Sequence, residues 1–321
     1  MEIANPIYDV VFKYMMDDNK VAKLLLSAII GEEIENLDFK PQEYSTALEI
    51  RSITVYRLDF AARIKTKTGE YKQVIVEIQK AKFPTDIMRF RKYLGEQYAK
   101  EDNVIIKTNK KGEEQKQALP IISIYFLGHN LEHTDASVIK VNRNYIDIIE
   151  GKEIAKREEF IESLTHDSYV IQISKLKGKR RNELEILLSI FDQSNIEEDH
   201  HILNVKEADF PKKYRIIIRR LQKAISEKVV RKTMDVEDEI LAELENKERT
   251  IAKKDKALEE KDKALEEKNK VIEQKDKTIE QKDKTIEEKD KAIEEKDKAI
   301  KEHFQMIEDL KRRLEQLEAK K

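Results

Sequence analysis

From Asp255 to Lys298 a unit close to DKAIEEK recurs every seven residues, and from about Val236 onward the chain contains neither Gly nor Pro. One apolar frame runs without a slip through Leu244, Ile251, Leu258, Leu265, Ile272, Ile279, Ile286, Ile293, Ile300, Ile307 and Leu314. A period of seven held this long belongs to a helix that supercoils left-handedly with a partner, because a straight helix lets such a stripe drift around its surface. The companion seam position is Lys, from Lys247 through Lys296, and only His303, Leu310 and Leu317 bring apolar character back to it. Glu259 with Lys263 and Glu266 with Lys270 are spaced to support a solvated single helix instead. Between these readings, self-association nucleated by the last two heptads is favoured. At about 1.5 Å per residue the segment reaches on the order of 120 Å. An arm of that kind adds nothing to a globular core, so the chain divides near 235.

The repeat also accounts for the unusual composition. Charged residues make up 40% of the chain, yet the formal charge is only -2, so affinity for a polyanion has to come from a local patch. With no cysteine there are no disulfides and no thiolate metal sites, which fits a reducing compartment. The start, MEIANPIYDVVFKYMMDD, does not read as a secretory signal, and runs such as Ile121 to Leu127 are too short to span a bilayer. The expectation is a soluble, cytoplasmic protein with no membrane partner.

Ahead of the repeat, Val55 to Lys82 reads as two strands joined by a turn. Alternation puts Tyr56, Leu58, Phe60, Ala62 and Ile64 on a core face, and Val74, Val76 and Ile78 on the core face of the second strand. With the turn centred near Thr68 and Gly69 at positive φ, Asp59 falls opposite Glu77, and Arg57 opposite Gln79. Directly opposed carboxylates repel unless a proton or a cation lies between them. A divalent metal suits two hard oxygen ligands; a solvated hairpin face is the plainer alternative.

In chain order, Asn5 and Pro6 are expected to open a helix carrying Ile7, Val10, Val11, Tyr14 and Met15, and Val21 to Ile30 a second helix ended by Gly31. Asp9 and Lys13, four apart, share a face. After the hairpin, Pro84 introduces a helix with Ile87, Phe90, Tyr93, Leu94 and Tyr98 as its apolar stripe. A polar loop or hairpin tip at 101–117 follows, then the doubly buried strand Leu119 to Leu127. Leu184 to Phe191 reads as a helix, and Tyr214 to Arg231 as the element that closes the domain. Lys175, Lys177, Lys179, Arg180 and Arg181 form a short basic cluster, open to a phosphate-binding or a solvated-loop reading. His166, His200 and His201 read as loop or surface groups, since none sits in a metal-ligand spacing.

The D-x-x-F-K of Asp9, Phe12 and Lys13, the R-x-D of Arg57 to Asp59, the V-E-I-Q of Val76 to Gln79, and the following helix with Arg89, Arg91 and Tyr93 together resemble the recombination-promoting (Rpn-type) nucleases, putative transposases of the PD-(D/E)XK superfamily. The resemblance covers roughly residues 5 to 235 and is most specific in the first half of that span. It implies an α/β restriction-endonuclease-like core at about 5–130 and a helical or mixed extension at about 131–235, with the coiled coil read from the repeat at 236–321. It also implies a DNA endonuclease using Mg²⁺ or Mn²⁺, acting in recombination or mobile-element transposition; the homo-oligomer is what the heptad repeat leads one to expect. In that reading Asp59, Glu77 and the backbone carbonyl of Ile78 hold the metal, and Gln79 stands where the superfamily has Lys. Gln supplies donors without charge, which makes Arg57 the candidate cation. Asp9 and Lys13 are supporting residues, and Arg89 and Arg91, with the 175–181 cluster, are candidates for the phosphate backbone. A nuclease-derived DNA-binding module that no longer cuts, and a coiled-coil scaffold, are the alternatives.

Overall fold

The structure is a computed structural model and describes residues 1–39, 60–79, 87–101, 103–108 and 112–318. It divides into two units, Met1–Glu245 and Asn246–Lys321.

The first unit is α/β around a six-stranded mixed sheet. Strand β1 (Glu2–Ala4) precedes helices α1 (Asp9–Met16) and α2 (Asn19–Ile30), and β2 (Ile34–Phe39), β3 (Phe60–Thr66) and β4 (Tyr71–Gln79) form an antiparallel meander. Helix α3 (Ile87–Ala99) and a hairpin, β5 (Val104–Thr108) with β6 (Glu114–Ala118), lead into β7 (Ile121–Leu127), which lies parallel to β4. Beyond β8 (Val138–Val141), a short hairpin of β9 (Ile146–Asp147) and β10 (Lys152–Glu153) and helix α4 (Glu159–Leu164), strand β11 (His166–Gln172) pairs parallel to β7 and antiparallel to β8. The sheet order is thus β2-β3-β4-β7-β11-β8. Helix α5 (Glu183–Leu188), strand β12 (Ile202–Asn204), helix α6 (Arg215–Ile225) and helix α7 (Lys228–Glu318) complete the chain.

Alternation explains the layers. Val74, Val76 and Ile78 of β4, Ile122, Ile124 and Phe126 of β7, and Tyr169 and Ile171 of β11 face one large core, shared with Phe12 and Met15 of α1, Leu25 and Leu26 of α2 and Ile217 and Leu221 of α6. Phe12 lies edge-on to Phe126, ring centroids 6.0 Å apart, so the aromatic of the D-x-x-F-K stretch is a packing residue. On the other face Leu94 of α3 packs on Ile75 and Ile121. Every residue of β7 is buried, as its continuous apolar run requires.

The hairpin register is the expected one: Phe60 pairs with Val76, Ala62 with Val74 and Ile64 with Lys72. Gly69 takes φ +88° in the turn, a conformation that costs other residues a Cβ clash. Helix α2 ends as expected at Gly31, φ +79°, while its start lies two residues before the expected Val21, where Asp18 accepts from the N–H groups of Lys20 and Val21.

The N-terminus differs from expectation. Glu2–Ala4 is a strand paired with β12, and Asn5 does not cap a helix; it is fully buried and donates to Gln193 Oε1 at 2.9 Å and to the His200 carbonyl at 2.8 Å. Helix α1 begins only at Asp9, behind Tyr8, which supplies no side-chain cap. Its cap comes from far along the chain: Glu237 accepts from the N–H groups of Asp9 and Val10, both at 2.9 Å. A carboxylate there satisfies two donors that have no helical partner and complements the helix dipole. Beside it Asp238 accepts from Tyr8 Oη and lies 2.7 Å from Nε2 of His201, whose ring meets that of Tyr8 edge-on. Burial and the hydrogen bond to Asp238 both push the Tyr8 phenol up. The opening turns of α7 are therefore part of the globular fold.

Along the second unit the frame residues Ile251, Leu258, Leu265, Ile272, Ile279, Ile286, Ile293 and Ile300 are all exposed. Lys263, Lys270, Lys284 and Lys291 each reach back one turn to Glu259, Glu266, Glu280 and Glu287 at 2.7–3.0 Å. Such pairs contribute only about 0.3–0.5 kcal/mol each.

All 11 tyrosines precede residue 236 and Trp is absent, so tyrosine emission reports the globular unit alone. Glu237→Ala in the full chain is expected to lower the urea midpoint of that emission, at a cost of about 1–2 kcal/mol. An unchanged midpoint would show that the α1 cap carries no weight.

Candidate functional site

The face of the sheet opposite the large core presents four cross-strand rows. Parallel registers align Gln73, Ile121 and His166; Ile75, Ser123 and Ser168; Glu77, Tyr125 and Val170; and Gln79, Leu127 and Gln172. The rows begin with hydrogen-bonding groups: Tyr98 Oη lies 3.0 Å from Nδ1 of His166, and Ser123 Oγ donates to Ser168 Oγ at 2.9 Å. Glu77 stands in the third row and is only 3% exposed, although a carboxylate is among the costliest groups to bury. Pairing to β3 is described as far as Val76, whereas β7 holds β4 through Gln79.

The fourth row is closed by a loop. Gln172 is fully buried; its Oε1 accepts from the Leu131 N–H at 2.7 Å, and its Nε2 donates to the carbonyls of Ala136 at 2.7 Å and Thr134 at 3.3 Å. Leu131 and Val170 pack against the buried pair Tyr125 and Leu127. The carboxyl ends of β7 and β11 are thus covered by a fixed segment, next to the end of β4.

Asp59 and Arg57 lie outside the described residues, as do the side chains of Gln79 and Arg89. Ile78 directs its side chain into the large core, consistent with Glu77 on the opposite face. Asp9 and Lys13 form a 2.6 Å ion pair on α1, and Arg91 is exposed on α3. Of the implied acid pair the described residues include Glu77, whose buried carboxylate is the kind of hard oxygen donor that Mg²⁺ or Mn²⁺ takes. Among the described residues no group of three or more His, Asp or Glu is arranged to hold a metal, and Asp59 is not among them. No helix of the described residues is long and apolar enough to cross a membrane.

The basic cluster is largely occupied by the fold. Lys175 pairs with Asp135, and Lys179 Nζ donates to the Asp135 carbonyl at 2.7 Å, so both tether the loop that Gln172 closes. Arg180 approaches Asp192 at 3.7 Å. Arg181 grips the buried Glu185 through its guanidinium and its backbone N–H, and this side-chain bond, foremost, pulls the Glu185 carboxyl down to about 2. Lys177 is exposed.

Two groups differ from the loop-and-surface reading. His166 opens β11 and burial pushes its imidazole pKa down, while His201 is held between Tyr8 and Asp238. The partners of His201 sit 37 residues away at Asp238 and at the opposite end of the unit at Tyr8, so no local spacing marks them. Arg143 was likewise unmarked; it bonds Asp167 at 2.9 Å and Glu162 at 2.8 Å, fixing the start of β11 to α4.

No protein-family model matches the chain, and neither a curated protein nor a solved structure is significantly similar to it.

Proposed function

We propose that the first unit is a PD-(D/E)XK-type endonuclease domain that hydrolyses phosphodiester bonds of DNA with Mg²⁺ or Mn²⁺. One observation carries the reading: Glu77 is a buried carboxylate, and it directly follows Val76, whose pairing with Phe60 is the register from which the sequence expects Asp59 opposite Glu77. The order of elements supports it, since helix, antiparallel strand pair, helix and a strand parallel to the second of the pair is what the resemblance implies.

In this mechanism Asp59, Glu77 and the Ile78 carbonyl would hold the divalent cation, which when bound would supply Lewis acidity toward the scissile phosphate and the attacking water. The chain's own groups do the rest. Gln79 donates to, or accepts from, the attacking water and so orients it. Arg57, opposite Gln79 in the expected register, provides the fixed positive charge that Lys supplies elsewhere in the superfamily. Burial of Glu77 keeps bulk water from competing for its carboxylate. Asp9 and Lys13 support the site from α1, and recombination or transposition is the setting that the resemblance implies.

Supercoiled plasmid incubated with the protein and Mg²⁺ or Mn²⁺ should be nicked or linearised, and EDTA should stop it. Asp59→Ala and Glu77→Ala should each lose at least about 100-fold in rate, and Arg57→Ala a comparable factor. Plasmid that binds and stays intact in every metal favours the non-cutting DNA-binding module, and an unaffected Arg57→Ala removes that residue from the chemistry.

The second unit is read as the means of self-association. Ile300, Ile307, Leu310 and Leu314 are exposed toward the end of α7, where two apolar seam positions per heptad return. A peptide of residues 246–321 should sediment as a dimer or larger at micromolar concentration. A monomer would assign the segment to a solvated single helix.

A further inference from the structure

Between Lys212 and Lys232 the chain carries nine cationic side chains against one acid, Glu227, in a protein whose formal charge is -2. This run is longer than the 175–181 cluster though less dense, and it spans α6 and the opening turns of α7. The two helices set it outward by burying their apolar residues: Ile217, Ile218, Leu221 and Ala224 of α6 are fully buried, and Val230 and Met234 of α7 nearly so. The cations that remain divide into two groups.

Arg220 stacks on the Tyr14 ring at 4.1 Å and donates to the Tyr14 carbonyl near the end of α1, and Arg215 donates to the Phe210 carbonyl. Lys213 pairs with Glu183, Arg219 with Glu207 at 2.9 Å, and Arg231 approaches Asp199 at 3.9 Å. Lys212, Lys223, Lys228 and Lys232 are exposed and make no ion pair among the described residues. Lys228 and Lys232 share one face of α7, one turn apart, and Arg219 and Lys223 share one face of α6.

We propose that this α6–α7 ridge is a track for the DNA phosphate backbone, bound without regard to sequence. The inference rests on the proposed function only for the identity of the polyanion; the ridge itself is set by charge and burial. An anionic lipid surface fits less well, because a membrane-surface helix must insert an apolar face, and the apolar face of α6 is already used in the core. Exposed Lys side chains on two consecutive helices suit a polymer of evenly spaced phosphates, whose condensed counterions are released on contact.

The test uses the full chain in EDTA and a fluorescein-labelled duplex of about 30 base pairs, followed by polarisation across a salt series. Lys223→Gln, Lys228→Gln and Lys232→Gln together should raise Kd on the order of tenfold or more and reduce the slope of log K against log salt by about 2–3. The same charge change in the repeat away from both seam positions, Lys284→Gln with Lys291→Gln and Lys298→Gln, should leave both unchanged. Because the assay runs in EDTA, a duplex that binds here and stays uncut in Mg²⁺ retires the nuclease reading and leaves the ridge standing, so binding and chemistry can fail separately. Equal binding by the ridge variant, or equal loss in the repeat variant, overturns the proposal. So does displacement of the duplex by polyglutamate at matched charge, or retention by phosphatidylserine vesicles in preference to DNA.

Discussion

Strand β4 is hydrogen-bonded along both edges, antiparallel to β3 and parallel to β7, and both of its faces are covered. In such a strand the register cannot drift. A slip of one residue would turn Val74, Val76 and Ile78 out of the large core and drive Gln73 and Glu77 into it, replacing apolar contacts with a buried charge. The turn at Gly69 fixes the same register from the other side, because its positive φ is readily reached only by glycine. The position of Glu77, and the rows that run from it to Tyr125 and Val170, follow from that single strand.

The hairpin was legible because period-two alternation and one glycine are local signals. Leu119 to Leu127 was legible for a related reason, being too apolar to lie anywhere but between two layers. The pairing of β1 with β12 was not, since strands of three residues carry too little alternation to stand out. Asn5 illustrates the limit: its type suits a helix start, yet its amide bonds to Gln193 and to the His200 carbonyl, groups some 190 residues on. Tertiary pairing overrode the local preference. In the same way charge alone leaves the KLKGKRR stretch open between a phosphate site and a solvated loop, and the acids that hold it, Asp135, Asp192 and Glu185, are visible only once the chain is folded.

The base of α7 joins these themes. The change of sequence character near Val236 draws the eye to the repeat, but Glu237 and Asp238 belong chemically to α1 and His201. The globular unit accordingly extends to Glu245. The same few turns carry Lys228 and Lys232, so the segment that caps the first helix also presents half of the proposed DNA track. In the repeat beyond, one-turn Lys–Glu pairs support the helix locally while the isoleucine stripe remains exposed.

The central claim is that Asp59 and Glu77 share one divalent cation. Titrating Mn²⁺ into the protein while following the electron paramagnetic resonance of the free ion measures this without any substrate. One Mn²⁺ per chain is expected for the unaltered protein, with that site lost in Asp59→Ala and lost equally in Glu77→Ala. Undiminished Mn²⁺ binding in the variant lacking both acids would contradict the account.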